Sequence, residues 1–95
     1  MSVTLAGIEF EHHHYDDRGD VLYLSVEGYD AGGLPPHADA TPEGYGIEWD
    51  EQGRVIAMTL VNVKWLIERD GELRITWPDG HVSRDDRAVV FAAAA

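Results

Sequence analysis

Apolar and polar residues alternate along much of the chain, and this alternation predicts β-strands. Residues 8–15 alternate between two sides, which is the pattern of a half-buried strand. Residues 21–26 are apolar on both sides, which indicates a strand interior to a sheet. The polar segment 16–20 between them is typical of a turn. We therefore expect a β-hairpin in this region.

A second hairpin is predicted further along the chain. Residues 45–49 and 54–63 have strand patterns, and the short segment between them contains Gly53, which can take a positive φ. The longer of these two strands is apolar on both sides and is expected inside the sheet. Residues 73–77 alternate in the same way and end at a Pro-Asp-Gly turn, which predicts a fifth strand.

Three segments are less regular. Residues 27–44 contain three of the four prolines and little periodicity, which predicts a long mobile loop. Residues 63–69 favour a short helix with Asn62 as its N-cap and an Asp-Gly pair at its end, although a strand entering an Asp-Gly hairpin also fits. Residues 83–95 begin with a weak capping box at Ser83, so we expect either a C-terminal helix or a tail.

Together these elements predict one small α+β domain. Its mainly antiparallel sheet has about five strands, two hairpins plus one, with one or two short helices. A chain of 95 residues buries only about 60 to 65% of its unfolded surface, so a sheet with apolar residues on both faces needs a second layer. A homo-oligomer, most simply a homodimer, is expected to supply it. The absence of cysteine excludes disulfides and thiolate metal sites, and indicates a cytoplasmic protein.

The formal net charge is −11, and its placement is more informative than its size. Residues 1–51 carry 12 acidic side chains and one basic one, whereas residues 52–95 carry six of each. Such a chain repels phosphate backbones, which disfavours nucleic acid as a ligand. A basic protein partner is expected instead. The residues predicted to bind it are Asp16, Asp17, Asp20, Tyr29, Glu48, Asp50 and Glu51.

The run of three histidines offers an alternative function. His12 and His14 lie on the same side of the predicted first strand, about 6 to 7 Å apart. Two imidazoles in this register can share zinc or another transition metal, and Asp16, His37 or His81 could complete the ligand set. The competing interpretation is a strand edge that displays or packs its histidines without any ligand.

No pattern in the chain predicts catalysis. The serines lie in no nucleophile elbow, and the glycines precede no phosphate-loop lysine. The acidic turn at 16–20 lacks the spacing of a calcium loop. The N-terminus shows no targeting segment, and no apolar run approaches the ~20 residues that a bilayer requires. We therefore expect a non-enzymatic protein with no membrane span.

Two motifs resemble a known family. Tyr15-Asp16 followed by Asp20-Val21-Leu22-Tyr23-Leu24 matches the pattern Y-D-x-x-x-D-x-L-Y-[LI]. Residues 50–58 follow D-x-x-G-[RK]-[IVL]-x-G-[IL], with Ala57 in place of its second glycine and Met58 in place of its last residue. The chain resembles, over roughly residues 8–63, the bacterial and archaeal domain-of-unknown-function family numbered twenty-two eighty-three. That resemblance implies no known activity. It does imply an antitoxin-like role, because some members look as if they are encoded beside small toxin-like proteins.

The expected function is therefore that of a non-enzymatic acidic module that binds a basic protein and neutralises it as an antitoxin would. The metal or small-ligand site on His12 and His14 is the alternative. A structural homo-oligomer is the third possibility.

Overall fold

The computed structural model describes residues 2–28, 37–86 and Val90. Within these residues the fold is mainly antiparallel sheet with one short helix. The α+β class and the predominance of antiparallel sheet are confirmed. In chain order the elements are β1 (Val3–Leu5), β2 (Ile8–Phe10), β3 (His12–Asp16), β4 (Val21–Ser25), β5 (His37–Ala40), β6 (Gly46–Trp49), β7 (Val55–Val61), α1 (Val63–Asp70), β8 (Glu72–Thr76) and β9 (Val82–Asp86).

Five strands form the central sheet, in the order β3-β4-β7-β6-β5. Both predicted hairpins are present, β3 with β4 and β6 with β7, and each is antiparallel. Because β4 pairs with β3 on one side and with β7 on the other, the prediction that 21–26 lies inside the sheet is confirmed. The long strand β7 is interior for the same reason.

The fifth strand of this sheet is β5, which the sequence pattern did not predict. It lies inside the segment 27–44, which was predicted to be one long loop; residues 29–36 fall outside the described part of the chain. The turn that joins β5 to β6 carries Thr41-Pro42-Glu43-Gly44, with proline and glycine at the positions favoured in a type I turn. The Thr41 hydroxyl accepts a hydrogen bond from the Tyr45 amide at 3.1 Å, which closes the turn.

The predicted fifth strand, by contrast, belongs to a separate two-stranded sheet. β8 pairs with β9, and Ile75 lies opposite Ser83. The prediction of a helix or tail beginning at Ser83 is therefore wrong for residues 83–86. The Ser83 hydroxyl accepts a hydrogen bond from the Trp77 indole at 2.7 Å, so it holds the hairpin together instead of capping a helix.

The predicted strand at 8–15 is divided in two. β1 and β2 form a small hairpin of their own, with Ala6 and Gly7 at positive φ in its turn. The chain bends at Glu11, whose carboxylate accepts a hydrogen bond from the Glu27 amide at 2.8 Å. Phe10, before this bend, is buried, whereas His12 and His14, after it, are exposed. The alternating residues of 8–15 therefore do not share one face of a single strand.

Residues 63–69 are helical, as favoured from sequence, and α1 ends at Gly71 in the left-handed conformation. The Gly71 amide donates to the Ile67 carbonyl at 2.7 Å, which is the predicted glycine C-cap. At the other end Asn62 occupies the predicted N-cap position, but it has φ 57° and its side chain makes no capping hydrogen bond.

The core lies on one side of the central sheet. We call this side the covered face: Leu22, Leu24, Ile47, Met58 and Leu60 point toward it, and their side chains pack with buried residues of α1, the β1–β2 hairpin and β8. We call the opposite side the open face. By strand alternation it carries His12, His14, Asp16, Val21, Tyr23, Ser25, Ala38, Ala40, Gly46, Glu48, Ala57, Thr59 and Val61.

Candidate binding surface

The open face has an unusual charge composition. None of the residues in the five strands of the central sheet is Lys or Arg. The acidic residues of these strands are Asp16, Asp39 and Glu48, and two of them, Asp16 and Glu48, lie on the open face. The sequence had suggested that β4 is covered on both faces, yet Tyr23 is 46% exposed. This side of the sheet is therefore acidic and accessible.

Glu48 lies in a groove between small side chains. Its partners in register are Ala57 on β7 and Ala38 on β5, and Gly46 and Thr59 continue the groove, which has a volume of about 110 Å³. The small side chains on both sides leave room above the sheet. The strand register shifts directly after Glu48, and such bulges redirect neighbouring side chains.

The Glu48 carboxylate has no hydrogen-bond donor among the described residues. Its Oε2 is shielded from solvent and accepts no hydrogen bond within the described residues. Leaving such an acceptor unpaired costs on the order of 1 to 3 kcal/mol. A Lys or Arg side chain from another molecule would supply the missing donor.

An aromatic pair stands beside this groove. The rings of His14 and Tyr23 face each other across β3 and β4 with their centroids 6.2 Å apart and their planes 19° apart. The Tyr23 hydroxyl makes no hydrogen bond with a described residue. A half-exposed tyrosine with a free hydroxyl is a common anchor in protein interfaces.

Asp20 has a structural role, and the binding role predicted for it stays a prediction. Its carboxylate accepts hydrogen bonds from the amides of Lys64 at 2.9 Å and Trp65 at 3.2 Å, which are in the first turn of α1. It also accepts one from the Tyr15 hydroxyl at 2.7 Å. Asp20 thus caps the first turn of α1 with its side chain from more than 40 residues away in sequence, which the Asn62 side chain at the N-cap position does not do.

These contacts shift the pKa values of Asp20 and Tyr15. Partial burial alone would raise the pKa of Asp20, but the hydrogen bonds from Lys64, Tyr15 and Trp65 outweigh it and lower the pKa below its ordinary value. Burial, reinforced by the hydrogen bond to Asp20, raises the pKa of Tyr15 to about 12. The Lys64 ammonium lies 5.0 Å from the centre of the Tyr15 ring and adds a cation–π contact.

Asp16 and Asp50 are also used by the fold. Asp16 accepts from the amides of Arg18 and Gly19 in its own turn, at 3.1 and 3.4 Å. Asp20, at the end of this turn, has a positive φ of 55°. Asp50 accepts from the Arg54 amide at 2.9 Å and the Arg54 Nε at 2.8 Å, around a turn in which Gly53 has the predicted positive φ.

The remaining predicted partner-binding residues do not form one patch. Asp17 and Glu51 are both exposed, but strand register places their turns at opposite ends of the central sheet. Tyr29 lies outside the described residues. Of the seven predicted residues, Glu48 is the one whose contacts within the described chain leave a buried acceptor unpaired.

The predicted metal ligands are brought together only in part. His12 and His14 are exposed and share the open face, as expected from their spacing. Of the residues considered as further ligands, Asp16 shares the open face, but its carboxylate accepts hydrogen bonds from backbone amides of its own turn. His37 is on β5, at the opposite edge of the sheet, and His81 pairs with Asp79. Across residues 2–28 and 37–86, no group of three or more potential ligands could hold a metal ion.

Sequence reasoning missed an aromatic cleft below the sheet. Trp49 and Trp77 line it, and Trp77 stacks on His81 with ring centroids 5.8 Å apart. The cleft has a volume of about 390 Å³. Its residues come from four separate segments, so no local pattern marks it. The exposed aromatic residue on the helix, Trp65, is 58% exposed and was not singled out either.

Comparison with known proteins assigns no role to these residues. No protein-family profile, curated protein or solved structure matches the chain. The motif resemblance therefore stays a prediction, and the residues that carry it have the capping and turn roles described above. In the part of the chain that the structure describes, no helix is long and apolar enough to cross a membrane.

Proposed function

We propose that the protein is a non-enzymatic binding module whose open face docks a Lys- or Arg-rich segment of a basic protein. The observation that carries this proposal is Glu48, whose buried Oε2 lacks a donor in a groove bordered by small residues. The aliphatic part of a lysine or arginine would lie over Ala57 and Thr59, and its charged head would pair with the carboxylate.

The charge distribution supports the same type of partner. A net charge of −11 attracts a cationic protein from a distance, and the absence of Lys and Arg from the five strands leaves no local repulsion. Tyr23 offers apolar contact area next to the groove. Salt weakens such an interaction, because mobile ions screen its long-range part.

An antitoxin-like role is a specific form of this proposal. A neutraliser of this kind inactivates its partner by covering a basic functional surface, and the open face has the charge that such a surface requires. The motif resemblance supports the antitoxin-like role. The charge pattern supports only the broader proposal that the protein binds a basic partner.

A second copy of the chain is the competing occupant of the open face. In a symmetric dimer the same surface meets itself, so two Glu48 carboxylates and two Asp16 carboxylates would approach each other. Like charges in an interface cost several kcal/mol as an order of magnitude. A homodimer stays a prediction, and we expect it to use an edge strand, β3 or β5, because each pairs with a single strand among the described residues.

The experiment is a titration of the protein with an oligolysine peptide, followed by backbone NMR shifts. We expect the shifts to concentrate on β4, β6 and β7, and Glu48→Gln to weaken binding about tenfold, equivalent to about 1.4 kcal/mol. Glu68→Gln is the matched control, because it removes the same charge from the exposed side of α1.

Three results would count against the proposal. The shifts could spread over all exposed acidic residues alike, or Glu48→Gln could weaken binding no more than Glu68→Gln. Alternatively, the open-face resonances could depend on protein concentration without peptide, which would identify a second copy as the occupant.

A further inference from the structure

A second cavity lies on the other side of the molecule from the open face. It lies between the C-terminal half of α1, the outer side of the β8–β9 hairpin and the turn before β6. Its volume is about 250 Å³, and Leu66 and Val82 provide its apolar walls. This cavity is independent of the groove at Glu48.

Three guanidinium groups line this cavity, although the whole chain has only seven Lys and Arg residues. They belong to Arg69, Arg74 and Arg84. Arg74 and Arg84 are directly opposite each other in the β8–β9 register. Like charges in opposed positions destabilise a hairpin, and here the carboxylates of Asp70 and Glu72 offset this repulsion in part.

The acidic residues around the cavity leave many arginine donors unpaired. Asp70 accepts two hydrogen bonds from Arg69, both at 2.9 Å, and one from Arg74 at 3.3 Å. Glu43 is held by the Thr76 amide at 2.9 Å and the Thr76 hydroxyl at 2.6 Å.

The nearest carboxylate oxygen to Arg84 belongs to Glu72, and its distance to Arg84 Nη1 is 3.6 Å, too long for a hydrogen bond. A guanidinium carries five N–H groups. Arg84 therefore donates no hydrogen bond within the described residues, and Arg74 donates one.

A buried tyrosine adds a neutral donor. Tyr45 is only 1% exposed and lines the cavity, yet its hydroxyl has no hydrogen-bond partner among the described residues. Burial, with the nearby charges of Glu43 and Asp70, raises its pKa to about 12, so the hydroxyl keeps its proton at neutral pH. Tyr45 can therefore donate a hydrogen bond to a ligand in the cavity.

We propose that this cavity binds the oxyanion group of a small molecule, a carboxylate or a phosphate, through Arg74, Arg84 and the Tyr45 hydroxyl. Two guanidinium groups facing the same space match the paired oxygens of such a group. Leu66 and Val82 contact the apolar part of the ligand.

The test is calorimetric titration of the full chain with inorganic phosphate and, separately, with succinate, at constant ionic strength. We expect saturable binding of one anion per chain. The anion that binds more tightly distinguishes a phosphate ligand from a carboxylate ligand. Arg84→Gln should weaken binding at least tenfold, and Tyr45→Phe should weaken it several-fold without changing the fold.

Arg18→Gln is the matched control, because Arg18 is exposed and lies in the β3–β4 turn, away from the cavity. Its binding should equal that of the wild type. The proposal is overturned if neither anion binds saturably up to about 20 mM, a concentration equivalent to only about 2 kcal/mol of binding free energy. It is also overturned if Arg18→Gln weakens binding as much as Arg84→Gln, or if Tyr45→Phe has no effect.

Discussion

Asp20, in the β3–β4 turn, and Glu48, on β6, are both half-buried carboxylates, yet their hydrogen-bond partners differ. Asp20 accepts three hydrogen bonds, two from the first turn of α1 and one from Tyr15. Glu48 keeps a buried oxygen without any donor among the described residues. The first carboxylate stabilises the fold, and the second is the one that we propose binds a ligand.

This difference shows why a count of acidic residues overstates a binding surface. Asp16, Asp20 and Asp50 were predicted to meet a basic partner, but each already accepts hydrogen bonds from nearby backbone amides. Short acidic side chains in turns mostly satisfy local backbone donors. Hydrogen-bond partners in the folded chain therefore separate structural carboxylates from candidate binding ones.

Removing the Asp20 side chain should produce a large loss of stability. Asp20→Ala leaves the first turn of α1 without its cap and Tyr15 without its acceptor, and it places alanine at a positive φ. We expect the free energy of unfolding to fall by about 2 to 3 kcal/mol, measured by urea denaturation. The matched control is Asp17→Ala in the same turn, which should change it by less than about 0.5 kcal/mol. Equal losses in the two variants would contradict the capping role.

The same carboxylate should make stability depend on pH. The pKa of Asp20 is lower in the folded protein than in the unfolded chain, where it is about 3.9. Its ionised form therefore stabilises the fold fully above about pH 5, and this contribution is lost as the pH falls through the lower, folded-state pKa.

Unfolding free energies of Asp20→Asn and wild type, measured from pH 7 to pH 2.5, check this sign. The difference between them should be largest at neutral pH and should shrink in acid. A difference that grows as the pH falls would show that the folded-state pKa of Asp20 is raised instead.

Glu48 should give the opposite result for stability. Glu48→Gln removes a charge whose buried oxygen has no donor, so the free energy of unfolding should stay the same or rise by up to about 1 kcal/mol. A substitution that raises stability while it weakens binding is typical of functional positions. A loss similar to that of Asp20→Ala, in the same urea experiment, would mean that Glu48 has a structural role.

The histidine pair should have the smallest effect. His12 and His14 share the open face, but the described chain offers no third ligand beside them. Stable zinc sites in proteins use three or four protein ligands, so we expect no saturable zinc binding at micromolar concentration. Calorimetry with zinc checks this, with the His12→Ala, His14→Ala double variant as control. Micromolar binding that the double variant abolishes would restore the metal-site alternative.

Much of the fold was predictable from local patterns. The apolar run at 21–26 and the turn glycine Gly53 identified the two hairpins, and Gly71 marked the end of α1. Local patterns could not identify partners distant in sequence. The separation of β8 from the central sheet depends on tertiary packing, as does the capping of α1 by Asp20.

The candidate binding surface was less predictable than the fold, because it also depends on residues that are distant in sequence. Glu48 was named from sequence only as one of many acidic residues. Its special environment arises because strand register brings Ala38 and Ala57 to either side of it. The arginine cavity depends in the same way on the opposition of Arg74 and Arg84 across a hairpin that was not predicted.

The most direct test of the account measures stability and oligolysine affinity side by side on Asp20→Asn and Glu48→Gln, two variants with the same loss of charge. We predict that Asp20→Asn loses stability and keeps its affinity, and that Glu48→Gln keeps its stability and loses about tenfold in affinity. Equal losses of affinity in both variants would contradict the account, because the peptide would then respond to net charge and not to the groove at Glu48.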